Sequence, residues 1–234
     1  MQNCKKLILL MFLNIFVAGC AAKRENMKIP QAVFDSKPRV VLTQTKGFEK
    51  ARFYKDGPQG LFLDLAINSM MTNSLDEKVC EVTGNQIVNE KYYDVFQKAF
   101  QERAFLASKD EKLLQNVDLK KHSVDEPQFA PYDFGCLNAH SAEYALILEP
   151  FFFGVKRTYY GFIPTSAPQG HTHLRIYLVR IKDNTVWGYY DSPVILPVEG
   201  TWDSPPHFAE VQEAAKKALI VALAQAYTYF FQNT

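Results

Sequence analysis

The alternation of apolar and polar positions is strongest in the second half of the chain. From His171 to Ile181, Leu174, Ile176 and Leu178 fall on one side of an extended backbone, with His173, Arg175 and Tyr177 on the other. That period of two marks a half-buried strand. Asp183-Asn184 supplies a turn, and Thr185 to Tyr190 returns as the hairpin partner. Tyr144 to Glu149 is a nearly continuous apolar run and predicts a central strand. Pro150 then removes a ladder donor, so the strand must bend, bulge or reach an edge there. Phe151-Phe152-Phe153 prolongs the run, and Val155 to Phe162 is a further extended piece before Pro164, Pro168 and Gly170 mark a loop. Near the amino end, Arg39 to Thr45 is rich in β-branched residues, follows Pro38 and reads as a strand.

The helical period occurs three times. Leu63, Ile67, Met70 or Met71, Leu75 and Val79 repeat at three to four residues and predict a helix from Gly60 to about Val82. A second runs from Asn89, as a cap, to Phe105. The last is the clearest. Asp203 or Ser204 can cap it, Pro205 and Pro206 suit its first turn, and Val211, Ala215, Ala218-Leu219, Ala222-Leu223, Ala226-Tyr227 and Phe230 form one apolar stripe. Its alanines suit close packing on a sheet. Between these elements, Phe48 to Gly60 and the polar stretch Ser108 to Pro131 read as loops, the latter with the mixed charges of Lys120-Lys121-His122 and Asp125-Glu126. The order of elements predicts an α+β fold: a mainly antiparallel sheet with helices packed on it and a long C-terminal helix.

The first residues break this pattern. Lys5 and Lys6 precede a 12-residue, mostly apolar run from Leu7 to Ala18. A bilayer-spanning helix needs roughly 20 residues, so this run fits a secretory signal instead. It ends in Val17-Ala18-Gly19-Cys20, which resembles the lipobox of bacterial lipoproteins. The resemblance implies that residues 1–19 are removed and that Cys20 carries lipid. Ala21, where an Asp would favour inner-membrane retention, implies an outer-membrane destination. Residues 20–37 are expected to tether a single domain, 38–234, in the periplasm.

Composition narrows the class further. Of 234 residues, 47% are apolar and 22% charged, which is a globular balance. Removing Lys5 and Lys6 from the 26 basic residues leaves 24 against 25 acidic ones. A charge near zero argues against broad affinity for nucleic acid. With Cys4 in the signal and Cys20 lipidated, Cys80 and Cys136 remain as one candidate disulfide in an oxidising compartment, or as two buried thiols.

Two segments carry a family resemblance. Phe96 to Phe105 resembles the Phe-terminated helix of periplasmic lipoproteins of the curli-secretion and penicillin-binding-protein-activator kind. Arg175 to Trp187 resembles their hairpin, a hydrophobic strand, a polar turn and a Val-Trp strand. The amino-terminal domain of the Tol-system translocation protein is a related architecture. The extra helix between Gly57 and Gly84 and the aromatic strand Phe151 to Phe153 depart from the pattern. The resemblance therefore implies the architecture and an envelope accessory role, but no site residues and no pore-forming activity.

Candidate chemistry is sparse. The chain has no G-x-S-x-G elbow, H-E-x-x-H, Walker loop or dinucleotide fingerprint. The expectation is a non-enzymatic, outer-membrane-anchored lipoprotein that needs no cofactor and binds a protein partner of the cell envelope. Two alternatives stand beside it. His171 and His173 on one strand face lie about 7 Å apart, a spacing from which both can reach one metal or small ligand; a third group would come from His140, Asp133 or Glu149. A homo-oligomeric secretion ring is the other. Tyr159, Tyr160 and Phe162, near a hairpin tip, either form a partner-binding patch or cover the edge of the core.

Overall fold

The computed structural model describes residues 24–56, 75–103, 105–110, 114, 119–121, 126, 128–160, 163–201 and 208–232. Seven strands form one mixed sheet. They are β1 (Arg39–Gln44), β2 (Arg52–Asp56), β3 (Leu106–Lys109), β4 (Tyr144–Tyr160), β5 (Ile163–Pro164), β6 (Gln169–Arg180) and β7 (Thr185–Pro197). The main order is β3-β1-β4-β6-β7, and β2 and β5 also pair with β4. The long ladders, β4 with β6 and β6 with β7, are antiparallel. The short ones, β1 with β3, β1 with β4 and β2 with β4, are parallel. The α+β fold is as the pattern predicts, with most ladder positions antiparallel.

Strand β4 organises the sheet. Pro150 interrupts it as expected: the register against β6 shifts between Pro150 and Phe152, and the strand continues through the bulge to Tyr160. Its two halves are flanked on one edge by different strands, β1 over Tyr144–Leu148 and β2 over Gly154–Thr158. Strand β2 lies where a loop is expected, because Arg52, Lys55 and Asp56 mask its alternation; Phe53 packs on the core while Arg52 and Tyr54 face away with Phe152. Glycine makes this junction. A Cβ on Gly154, whose φ is +148°, would stand 1.9 Å from the carbonyl oxygen of Arg52.

One face of the sheet carries the helices. Helix α1 (Gln31–Ser36) inserts Val33 and Phe34. Residues 75–80 are helical and bury Leu75 and Val79; the rest of the helix expected from Gly60 lies outside the described residues. The helix expected from Asn89 starts earlier. It comprises α2 (Asn85–Val88), a π-helical turn Asn89–Tyr93 and α3 (Asp94–Glu102). The wider turn lets the adjacent Tyr92 and Tyr93 both be fully buried. The Tyr92 hydroxyl donates to the Leu146 carbonyl at 2.7 Å and lies 3.2 Å from that of Thr43, where β1 meets β4. Helix α4 (Ala209–Phe231) lays the predicted stripe across β6 and β7. Its expected caps, Asp203 and Ser204, lie outside the described residues. The small stripe permits a very close approach: a Cβ on Gly170 would fall 2.0 Å from the Ala214 carbonyl oxygen.

Within the segment expected as a tether, several described residues meet the domain: Ile29 is 1% exposed, Met27 and Tyr189 exchange backbone hydrogen bonds at 2.8 Å, and α1 joins the core. Buried Ile29, Val33 and Phe34 drive this docking. The Cys80–Cys136 disulfide is absent, and both thiols are free and exposed. The sheet stands between them. Val79 packs with Leu146 and Leu148 beneath the helices, whereas Leu137 packs with Ala145 and Ile147 on the opposite face. Burial that persists around each thiol raises its pKa.

Candidate functional site

The period-two pattern of β4, β6 and β7 sends alternate residues to the face opposite the helices. Toward the turn of the β6–β7 hairpin this face is covered. Leu114, Ala130, Phe134 and Leu137 pack there on Val41, Ala145, Ile147, Tyr177 and Val179. Toward the other end it presents Phe151 and Phe152 from β4, His171, His173 and Arg175 from β6, and Asp191 and Ile195 from β7. Phe151 is 55% exposed and Ile195 44%.

Asp191 is the centre of this face. His173 Nε2 contacts Asp191 Oδ1, while Oδ2 accepts the Tyr189 hydroxyl at 2.9 Å and Arg175 Nε at 3.4 Å. Burial pushes the Asp191 carboxyl up, but the hydrogen bonds from His173 and Tyr189, with the positive charge of Arg175, prevail and hold it below its ordinary value. Beside it, the Tyr177 hydroxyl donates to Glu149 Oε2 at 3.0 Å. Burial, then the carboxylates of Glu149 and Asp191, raises the phenols of Tyr177 and Tyr189 respectively. The Arg24 guanidinium lies 5.8 Å and 5.1 Å from these two ring centroids and donates to the Phe129 carbonyl; burial lowers its pKa.

Arginines also stack on the exposed rings. Arg175 sits 4.6 Å from the centroid of Phe151, and Arg52 sits 5.1 Å from that of Phe152 while donating to the Phe151 carbonyl at 2.6 Å. Tyr54 packs edge-on to Phe152 at 6.0 Å, and Lys156 pairs with Asp56 at 2.6 Å. The result is an aromatic surface edged by cations and bonded internally.

The imidazoles of His171 and His173 share this face, as their spacing predicts, but each has its own neighbours. His171 packs on Phe152 at 4.8 Å and His173 on Phe151 at 4.9 Å. Burial, then the charges of Lys156 and His173, lowers His171 to about 4. Glu149 is turned to Tyr177, and Asp133 accepts the Gly135 N–H at 2.8 Å in its own turn. The side chain of His140 lies outside the described residues. Among the described residues, no three ligating side chains gather as a metal site would require.

The proposed aromatic patch divides. Tyr159 is buried, Phe162 lies outside the described residues, and Tyr160 is 73% exposed. Tyr160 pairs across the β4–β5 turn with Ile163, itself 54% exposed. Asp191 and Arg24 are the residues that sequence reasoning passes over, while Arg175 is read there only as an outward position of the strand. Tyr189, Asp191, Pro193 and Ile195 continue the alternation of the hairpin, a signal that shows once the strand is carried past Tyr190.

No protein-family model matches the chain, and no curated protein matches it. Solved structures with a similar arrangement include protein XCC0632 from Xanthomonas campestris, with TM-score 0.39, 12% identity and coverage of 82% of this chain and 84% of that one. A PelC dodecamer from Paraburkholderia phytofirmans gives TM-score 0.28 and 9% identity over 85% and 94% of the two chains. Lipoprotein GNA1162 from Neisseria meningitidis gives TM-score 0.27 and 11% identity over 80% and 99%.

Proposed function

We propose that the chain is an envelope lipoprotein, anchored in the outer membrane through Cys20, whose periplasmic α+β domain acts by binding a protein partner rather than by catalysis. The observation that carries the binding role is the cross-strand pair Tyr160 and Ile163 at the tip of the β4–β5 hairpin. A tyrosine 73% exposed beside an isoleucine 54% exposed puts apolar area into water at the end of this ladder. Such a pair supplies an anchor for a partner's pocket, since tyrosine loses little entropy on docking. The anchor is supported by Val17-Ala18-Gly19-Cys20 and by Ala21 behind it.

The test is chemical crosslinking and recovery of the lipidated protein from intact cells, with Cys20→Ser as control. One dominant envelope protein, lost in the control, is the expected result. Recovery of self-adducts alone would replace the partner with a homo-oligomeric ring. Turnover of a cell-wall substrate by the purified protein would overturn the non-catalytic role.

A further inference from the structure

We propose that the aromatic and cationic face around Phe151, Phe152, His173 and Arg175 lies against the surface of the phospholipid bilayer. The inference rests on Cys20 being the lipidated residue. Its ground is the position at which the docked chain begins. Asn26 holds the Asp191 N–H at 2.7 Å, and Arg24 reaches over Tyr177 and Tyr189. Residues 24–27 are therefore held at this face and along the β7 edge, before the chain passes Ile29 and enters α1 on the helical side. Only three residues, Ala21, Ala22 and Lys23, separate Arg24 from Cys20. Four residue steps span at most about 14 Å even when fully extended. A lipidated Cys20 sits at the headgroup level, so Arg24 and the face beneath it cannot swing far from the bilayer.

The composition of the face suits that position. From Asn26 the contacts run through Asp191 and His173 to Phe151 without a gap. Phe151 and Phe152 each carry an arginine on the ring, and Tyr54 and Ile195 add exposed apolar area beside them. Rings that sit at headgroup depth, with guanidinium groups reaching the phosphates, form an interfacial surface. Arg52 adds positive charge along the same border, where Lys156 is balanced by Asp56, and that charge favours anionic headgroups. Tyr160 and Ile163 lie at the β4–β5 tip, beyond the β4–β6 ladder, and stay available to a protein partner.

The experiment uses the full lipidated chain in vesicles of phosphatidylethanolamine and phosphatidylglycerol. In a Cys80→Ser, Cys136→Ser background, a fluorophore is placed on Phe151→Cys, on Ile195→Cys, or on Ile220→Cys, an exposed position of α4 on the opposite side of the molecule. Quenching is read with a water-soluble quencher and with a spin-labelled lipid, and the mass of the amino-terminal peptide reports the lipid on Cys20. The expected result is a loss of aqueous quenching and a gain of lipid quenching at 151 and 195 relative to 220. Equal aqueous quenching at all three sites, with Cys20 lipidated, overturns the bilayer contact and leaves the lipoprotein reading standing. Shielding of 151 and 195 from both quenchers overturns it in favour of a second copy on this face. An unmodified Cys20 overturns the lipoprotein reading and removes the ground of this one.

Discussion

The side-chain oxygen of Asn26 accepts the backbone N–H of Asp191 at 2.7 Å, joining residues 165 apart in sequence. With the Met27–Tyr189 bridge it straps the amino-terminal segment to the edge of β7. Asn26→Ala removes this acceptor. The expected loss is about 1 kcal/mol of stability, the usual net contribution of one hydrogen bond. A lowered urea midpoint, with faster amide exchange at Tyr189 and Asp191, checks it. Unchanged exchange at both amides would show that the strap is held by Ile29 and α1 alone.

Close approach of the helix to the sheet makes a second prediction. Gly170→Ala would place a Cβ 2.0 Å from the Ala214 carbonyl oxygen, and Gly154→Ala one 1.9 Å from that of Arg52. Both neighbours are backbone, so α4 or β2 must shift. Each substitution is expected to destabilise by about 1–3 kcal/mol, as overpacking does. Equilibrium denaturation measures it, and a wild-type midpoint for Gly170→Ala would contradict the observed seat of α4.

The titration of His171 has a defined sign. Its folded value of about 4 lies below its ordinary 6.5, because burial and the charges of Lys156 and His173 disfavour the imidazolium. Between those values the unfolded chain binds more protons than the folded one. The contribution is therefore fully present above pH 6.5 and is lost as pH falls toward 4. Asp183, held near 2 by Arg180, acts only in a lower window, below its ordinary 3.8. Urea midpoints are expected to fall between about pH 7.5 and about pH 4.5 in wild type, and to fall less in His171→Gln. Parallel profiles for the two proteins would place the dependence elsewhere.

Free thiols at Cys80 and Cys136 give a chemical prediction. Both are exposed and lie on opposite sides of the sheet. Each is expected to alkylate in the folded protein without prior reduction. Replacing both with Ser should change stability by no more than about 0.5 kcal/mol, as for surface substitutions generally. A mass two protons light in unreduced protein, with neither residue alkylated, would restore the disulfide.

Much of this architecture can be read directly from periodicity. The alternation in β6 and the stripe of α4 each fit one face of one element, and both strand and helix form where expected. The arrest at Pro150 is legible too, as a bulge that a proline on a long strand requires. Strand β2 is hidden because Arg52, Lys55 and Asp56 mask its alternation and its core contact is Phe53 alone. The docking of residues 24–36 is hidden for another reason: Ile29, Val33 and Phe34 look like isolated apolar residues until the surface that receives them exists. The site shows the same division. The shared face of His171 and His173 follows from a spacing of two, but their neighbours Phe151, Phe152 and Asp191 lie 18 residues or more away in sequence. Pairing by counting cysteines fails because it carries no information on which side of a sheet each one falls.

The most direct test of the account is site-specific photocrosslinking from Tyr160 in living cells, with the photoreactive residue moved to the α4 surface at Ile220 as control. The account predicts one envelope-protein adduct from position 160 that is absent from position 220 and lost in Cys20→Ser. The same adducts from both positions, or none from 160 in lipidated protein, would contradict a partner-binding tip on an anchored domain.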